Sequence, residues 1–188
     1  MNLAKNLFLR AAHWQIFTLL AVLYLMDTVV AISLIGAEST SVKNIPLPTL
    51  LFLQTTAMVT FAAFFFWLWT MGAFLNSLVK PALRLSLGLF RFALIFPLVY
   101  GLAFPFFAWL PRALSIYVIA PIHLFAMACV IYSLRFVAKS LALQEERRFL
   151  TFRDYYPSFF LLWFFPIGVW WIQPKVNKLY VARANQEA

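Results

Sequence analysis

Two ionisable residues stand inside stretches that are otherwise apolar: Asp27 in the run 14–35 and His123 in the run 113–136. Removed from water, a carboxyl tends to keep its proton and an imidazole tends to lose one. Such a pair can share a proton or form a cation site. Thr60, near the middle of the run 48–75, and Tyr100, near the middle of the run 87–109, supply hydroxyls that relay the proton or orient the pair. If the runs cross a bilayer in alternating directions, Asp27 lies roughly 4 Å and His123 roughly 2 Å to the outer side of the midplane, at about 1.5 Å per residue. The four residues then share one level. Ionisable groups within lipid-spanning segments point to a functional pathway. The plainer role for the same residues is an interhelical hydrogen bond that locks the bundle, worth about 1 kcal/mol. Ala31, Ala120 and Ala126 flank the two ionisable groups and permit close helix approach. Pro97 and Pro121 each free a carbonyl one turn earlier.

The elements that must carry these residues follow from composition. The 188 residues are 64% hydrophobic, 19% aromatic and only 11% charged. A soluble domain is about half apolar and a quarter charged, so the excess apolar surface is expected to face lipid. A spanning helix needs about 20 mostly apolar residues, and the four runs qualify. The expectation is one all-α integral membrane domain with four transmembrane helices. Pro46 and Pro48 open the second, Asn76 to Pro81 close it, and Pro111 ends the third. Trp14, Trp67, Trp69, Trp109, Tyr155, Tyr156, Trp170, Trp171 and Tyr180 lie near the expected ends and read as interfacial anchors. The run after Lys5 and Arg10 is longer than the core of a signal peptide, so it is read as a retained helix.

The fifth apolar stretch, 158–172, is shorter than a span and carries Pro166 and Gly168 near its middle. It is expected to be re-entrant, with a short tilted span as the alternative. The formal net charge is +9, and the cations gather at alternate run ends. With the N-terminus cytoplasmic, only Lys43 and Arg112 of the first four connections fall outside, as the positive-inside rule requires. A returning fifth stretch also keeps Lys175, Lys178 and Arg183 inside, within a cytoplasmic tail at 173–188. Residues 139–153 mix Leu141, Leu143, Phe149 and Leu150 with Glu145, Glu146, Arg147 and Arg148, which predicts an amphipathic helix on the cytoplasmic headgroups. Thr151 followed by Asp154 fits a capping box, although Pro157 follows closely. Arg147, Arg148, Arg153, Lys175 and Lys178 are the expected membrane-surface contacts, and Arg91 is a snorkelling anchor. Gln54, Thr55 and Thr56 either line a vestibule or bond back to their own helix.

Other chemistries lose support. The cations form no aromatic-interleaved stripe of the nucleic-acid kind. Cys129 is the single cysteine, so no intrachain disulfide couple exists. His13 lies at the cytoplasmic end of its run, too far from His123 to share a haem. There is no HExxH, no phosphate-binding loop and no GxSxG. No metal and no cofactor is expected.

The run Phe159-Phe160-Leu161-Leu162-Trp163-Phe164-Phe165-Pro166-Ile167-Gly168-Val169-Trp170-Trp171-Ile172-Gln173-Pro174-Lys175-Val176-Asn177-Lys178 resembles a segment of small, uncharacterised multi-pass membrane proteins of the Bacteroidota, as does Tyr132 to Lys139. The resemblance covers about a quarter of the chain. It implies a bacterial inner membrane and no particular activity. The Pro-Ile-Gly and Gln-Pro-Lys-x-Asn-Lys elements fit a re-entrant turn with its cytoplasmic stop, or a docking surface. Three functional classes follow: an oligomeric ion or small-solute pathway through Asp27, His123, Tyr100 and Thr60; a non-enzymatic subunit or assembly factor of a larger membrane complex; and a lipid-modifying membrane enzyme working near the cytoplasmic arginines.

Overall fold

The computed structural model describes residues 3–37, 47–103, 112–146, 148 and 150–187, and every regular element among them is helical. The helices are α1 (Leu3–Arg10), α2 (His13–Ala37), α3 (Leu47–Leu78), α4 (Leu87–Ala103), α5 (Arg112–Glu146), α6 (Phe152–Trp163) and α7 (Phe165–Glu187). α2 and α3 are apolar on every side, as suits helices that meet protein on one face and an apolar surround on the other. Three helices are long and apolar enough to cross a membrane, over His13–Ser33, Leu51–Leu78 and Tyr117–Glu146. α4 is apolar but has 17 described residues, and the remainder of the expected third run, including Trp109, lies outside the described residues.

Local chemistry sets the ends. The Gln15 Oε1 accepts the Ala12 N–H at 2.9 Å, which starts α2 directly after α1. At the end of α3, Asn76 exchanges two side-chain bonds with the Leu85 backbone, at 2.9 and 3.0 Å. Arg84 donates to the terminal carbonyls of Ser77 and Val79, both at 3.0 Å. These side chains take over groups that a helix end leaves unpaired, so the chain reverses into α4 after the Pro81–Leu83 turn.

α6 and α7 form a helical hairpin. Arg135 of α5 meets Tyr155 at the start of α6 (Nε to Oη, 2.9 Å). Leu162 and Trp163, at the other end of α6, meet Met127 and Val130, so α6 runs back along α5. The chain turns at Phe164 (φ −93°, ψ 60°). α7 then descends: Phe165 packs on Phe64, Trp170 on His13 and Phe17, and Tyr180 on Phe74. Both ends of the hairpin therefore lie at the end of the bundle where α2 begins and α3 finishes. Its tip stops beside Leu20 and Thr60. Pro166 is tolerated because it occupies the first turn of α7, where a missing N–H costs nothing.

The core is confined to the hairpin's half of the bundle. Leu9, Ile16, Leu20, Trp67, Leu68, Met71, Phe90, Phe136, Val137, Tyr155, Leu162 and Ile172 are buried there. None of the described side chains in 21–33, 48–64, 95–103 or 117–125 is buried. Phe90 stacks on Phe136 with centroids 4.0 Å apart, and α3 admits this ring only because residue 72 is glycine. A Cβ there would stand 2.6 Å from the Phe90 ring.

The expected surface helix over 139–153 does not form as a unit. α5 continues to Glu146, and Leu141, Ala142 and Leu143 are buried in the core. Leu141 and Leu143, expected to face headgroups, are instead buried, and Leu150 packs against the core, while Phe149 lies outside the described residues. The expected tail at 173–188 is likewise helical to Glu187 and packs Val176 and Tyr180 inward. The fifth stretch is longer than 158–172, because Thr151 and Asp154 begin α6 despite Pro157.

One polar node joins the layers. Gln173 of α7 is fully buried. Its Oε1 accepts the Trp67 indole N–H at 3.0 Å, and its Nε2 faces Phe8 O at 2.8 Å, Ala11 O at 3.2 Å and Asn177 Oδ1 at 2.8 Å. Asn177 Nδ2 also donates to Ala11 O at 3.1 Å. The terminal carbonyls of α1 are thus held by α7. Gln173→Leu leaves several of these groups unpaired at about 1–3 kcal/mol each, and a large drop in thermal midpoint is expected, larger than for Gln54→Leu at the loosely packed end. At the hairpin turn, a Cβ on residue 168 would lie 1.7 Å from Leu161 O. Gly168→Ala is expected to cost about 3 kcal/mol or more, because backbone must move, whereas Gly88→Ala, with its nearest atom at 3.9 Å, leaves the melt unchanged or slightly raised.

Candidate functional site

The four polar residues singled out in the sequence stand on four different helices: Asp27 on α2, Thr60 on α3, Tyr100 on α4 and His123 on α5. They meet as two pairs. Thr60 Oγ1 lies 3.3 Å from Asp27 Oδ2 and 3.0 Å from the Thr56 carbonyl, so its proton serves one or the other. Tyr100 Oη lies 3.2 Å from His123 Nδ1. No hydrogen bond joins Asp27 to His123, so the direct proton-sharing pair expected of them does not form. The α-helical rise alone aligns depth; it does not turn the residues toward one another.

Tyr100 and His123 border one cavity, and Thr60 of the other pair borders another. A cavity of about 320 Å³ between α3, α4 and α5 is lined by Gln54, Pro97, Tyr100, Gly101, His123 and Met127 among others. A second, of about 250 Å³ at the hairpin tip, is lined by Leu20, Thr60, Phe61, Met127, Leu162 and Trp163 among others. Phe61, Met127 and Val130 border both and separate them. Gln54 reaches across to donate to Gly101 O at 3.0 Å, whereas Thr55 and Thr56 bond back to their own helix. Each pair also keeps unused capacity. Among the described residues, Asp27 Oδ1 is buried with no hydrogen-bond partner, and His123 sits on an exposed face of α5 with only Nδ1 engaged.

The expected surface cations divide as well. Arg148 bonds Glu146 Oε2 at 3.2 Å and Asp154 Oδ1 at 2.8 Å, across the corner between α5 and α6. Lys175 pairs with Glu145 at 3.0 Å, tying α7 to the end of α5. These three cation–carboxylate contacts are largely exposed, so each is worth little by itself. Arg153 and Lys178 are exposed and form no ion pair among the described residues. Arg147 lies outside the described residues. No group of three or more His, Cys, Asp or Glu side chains able to hold a metal occurs among the described residues.

Sequence reasoning passed over the residues with the most polar contacts. Gln173 and Asn177 were visible only as parts of a Gln-Pro-Lys-x-Asn-Lys element, and Trp67 only as an aromatic near a helix end. An amide placed between an apolar run and a proline was the available signal.

Fold and site together define an all-α bundle, among the described residues, with three helices of membrane-crossing length and a helical hairpin packed against them. No protein-family model, no curated protein and no solved structure matches the chain.

The α5–α6 corner carries a pH dependence. The Arg148 guanidinium, with the Thr151 N–H at 2.7 Å and hydroxyl at 2.9 Å, holds the Asp154 carboxyl below its ordinary value of 3.8. A folded value below the unfolded one favours folding wherever the carboxyl is ionised. The contribution is complete above that ordinary value and is lost as pH falls through the lowered one. Protection of the amides at 151–155, taken relative to the exchange rate of an unstructured chain at each pH, should therefore be high near neutrality and fall in acid, and Asp154→Asn should show the low protection at every pH.

Proposed function

We propose that the chain is an integral protein of a bacterial inner membrane and a non-enzymatic unit that works in assembly, with a second copy or a partner's helices completing its loosely packed half. In this reading α2, α3, α4 and α5 span, both termini are cytoplasmic, and the α6–α7 hairpin enters from the cytoplasmic side and returns. The bacterial setting comes from the resemblance of the C-terminal segment to proteins of the Bacteroidota. The placement of Lys80, Arg84, Arg148, Arg153 and Lys178 toward one end of the bundle agrees with it.

One observation carries the assembly reading. His123 stands beyond the hairpin tip on an exposed face, with one ring nitrogen unbonded among the described residues, amid exposed Tyr117, Leu124 and Phe125. A polar group facing hydrocarbon is costly, and such groups normally turn to protein. A packed helix would cover those side chains and give the imidazole a second partner.

A second reading rests on Asp27, whose buried Oδ1 is a free acceptor. An oligomeric proton, cation or small-solute pathway would use it with Thr60, Tyr100 and His123. The apolar walls of both cavities favour the first reading.

The two readings separate in one set of proteins. In a Cys129→Ser background, Leu124→Cys is expected to give an oxidised dimer or partner adduct in native membranes, and His123→Ala to reduce that adduct several-fold while leaving the melt unchanged. Liposomes carrying the wild type under a proton or sodium gradient should show no flux above empty vesicles. Flux that disappears in Asp27→Asn would replace the assembly reading by the pathway.

A further inference from the structure

α3 and α4 leave an open groove of about 740 Å³ on the side away from the hairpin, lined by Val59, Ala62, Phe66, Trp69, Leu94 and Ile95 among others. The walls are aliphatic and aromatic, with one charged group. Arg91, near the start of α4, closes the end of the groove that lies toward the α3–α4 turn, and its guanidinium sits 5.0 Å from the centre of the Trp69 ring. From Val59 to Trp69 the groove wall runs about 15 Å at 1.5 Å per residue, close to half of the ~30 Å hydrocarbon core. The groove is one leaflet deep.

Arg91 has no anion of its own. Residues 39–144 contain neither Asp nor Glu, so α3, α4 and the turn between them offer no carboxylate. Arg91 forms no ion pair among the described residues. Stacking on Trp69 stabilises the guanidinium without neutralising it. A cation held at the cytoplasmic end of a leaflet-deep apolar groove takes an anion that brings its own hydrocarbon.

We propose that the α3–α4 groove is a binding site for an anionic phospholipid of the cytoplasmic leaflet, with the phosphate group at Arg91 and one acyl chain along Ala62, Leu94 and Ile95. Arg91 selects the headgroup by charge, and the small side chains of Ala62 and Ala63 leave the chain its space. Arg84 is not available for this, because it caps the end of α3. The inference rests on the membrane placement proposed above, but not on the assembly reading.

The test is native mass spectrometry of the full chain in detergent, titrated with phosphatidylglycerol and with phosphatidylcholine of the same acyl length. The wild type is expected to retain phosphatidylglycerol preferentially. Arg91→Gln should lose about fivefold in affinity for phosphatidylglycerol and none for phosphatidylcholine, and Arg91→Lys should keep most of the preference. Ala62→Phe, on an exposed face of α3, should reduce retention of both lipids by filling the groove. Equal retention of the two lipids by the wild type, or an unchanged preference in Arg91→Gln, overturns the proposal. So does unchanged retention in Ala62→Phe accompanied by loss of a dimer, which would mark the groove as a helix contact. If Ala62→Phe lowers the melt, the Gln and Lys variants decide. Release of the wild type from membranes by alkaline carbonate would instead overturn the membrane placement itself.

Discussion

A primary amide shut away from water must satisfy two donors and an acceptor within the protein, or leave costly unpaired groups. Gln173 does so by reaching three elements at once: the Trp67 indole on α3, the carbonyls that end α1, and Asn177 one turn along α7. The geometry ties the rotation of α7 to α1 and α3, because these bonds form only with the amide facing those partners. With α7 fixed, the hairpin has a fixed depth. Phe165 stops at Phe64, and the Gly168 backbone closes on the Leu161 carbonyl. Apolar packing alone specifies such a position weakly, since one apolar contact substitutes readily for another.

The hairpin divides the bundle into two unlike halves. Where α6 and α7 fill the space between α2 and α5, side chains are buried as in an ordinary protein interior and aromatic rings stack closely. Beyond the tip, the same helices have no filler, and no described residue in 21–33, 48–64, 95–103 or 117–125 is buried as a whole. The polar pairs sit in this second half. A Thr–Asp contact at 3.3 Å and a Tyr–His contact at 3.2 Å are long for hydrogen bonds. The first is partly buried, and the second is exposed. That physical incompleteness, more than any chemical motif, is what the proposed function answers.

Charge is arranged around the packed half. The carboxylates Glu145, Glu146 and Asp154 lie where α5, α6 and α7 converge, and Lys175 and Arg148 use them to tie the corner. The stretch between residues 39 and 144 is left with cations alone. Arg84 spends its donors on helix-end carbonyls, and Arg91 leans on an indole. The cations of that stretch therefore have no carboxylate within it to neutralise them.

The amino-acid sequence by itself determined the helical class, the placing of α2 and α3 and the start of α5 within a few residues, the stop at Asn76 to Pro81, and the start of α6 at Thr151 and Asp154. These follow from local causes: the length of apolar runs, prolines, and side chains that pair with nearby backbone. The same reading aligned Asp27, Thr60, Tyr100 and His123 at one depth, because rise per residue is a property of a single helix. Only the tertiary structure decided that they meet as two pairs, since azimuth depends on which neighbours each helix finds. It also decided that 139–146 lengthens α5 and that 173–187 is packed helix. An amphipathic pattern looks the same whether its apolar face meets headgroups or a hairpin. Gln173 carries the same lesson: its partners lie 106 and 165 residues away, and no pattern within the segment could name them.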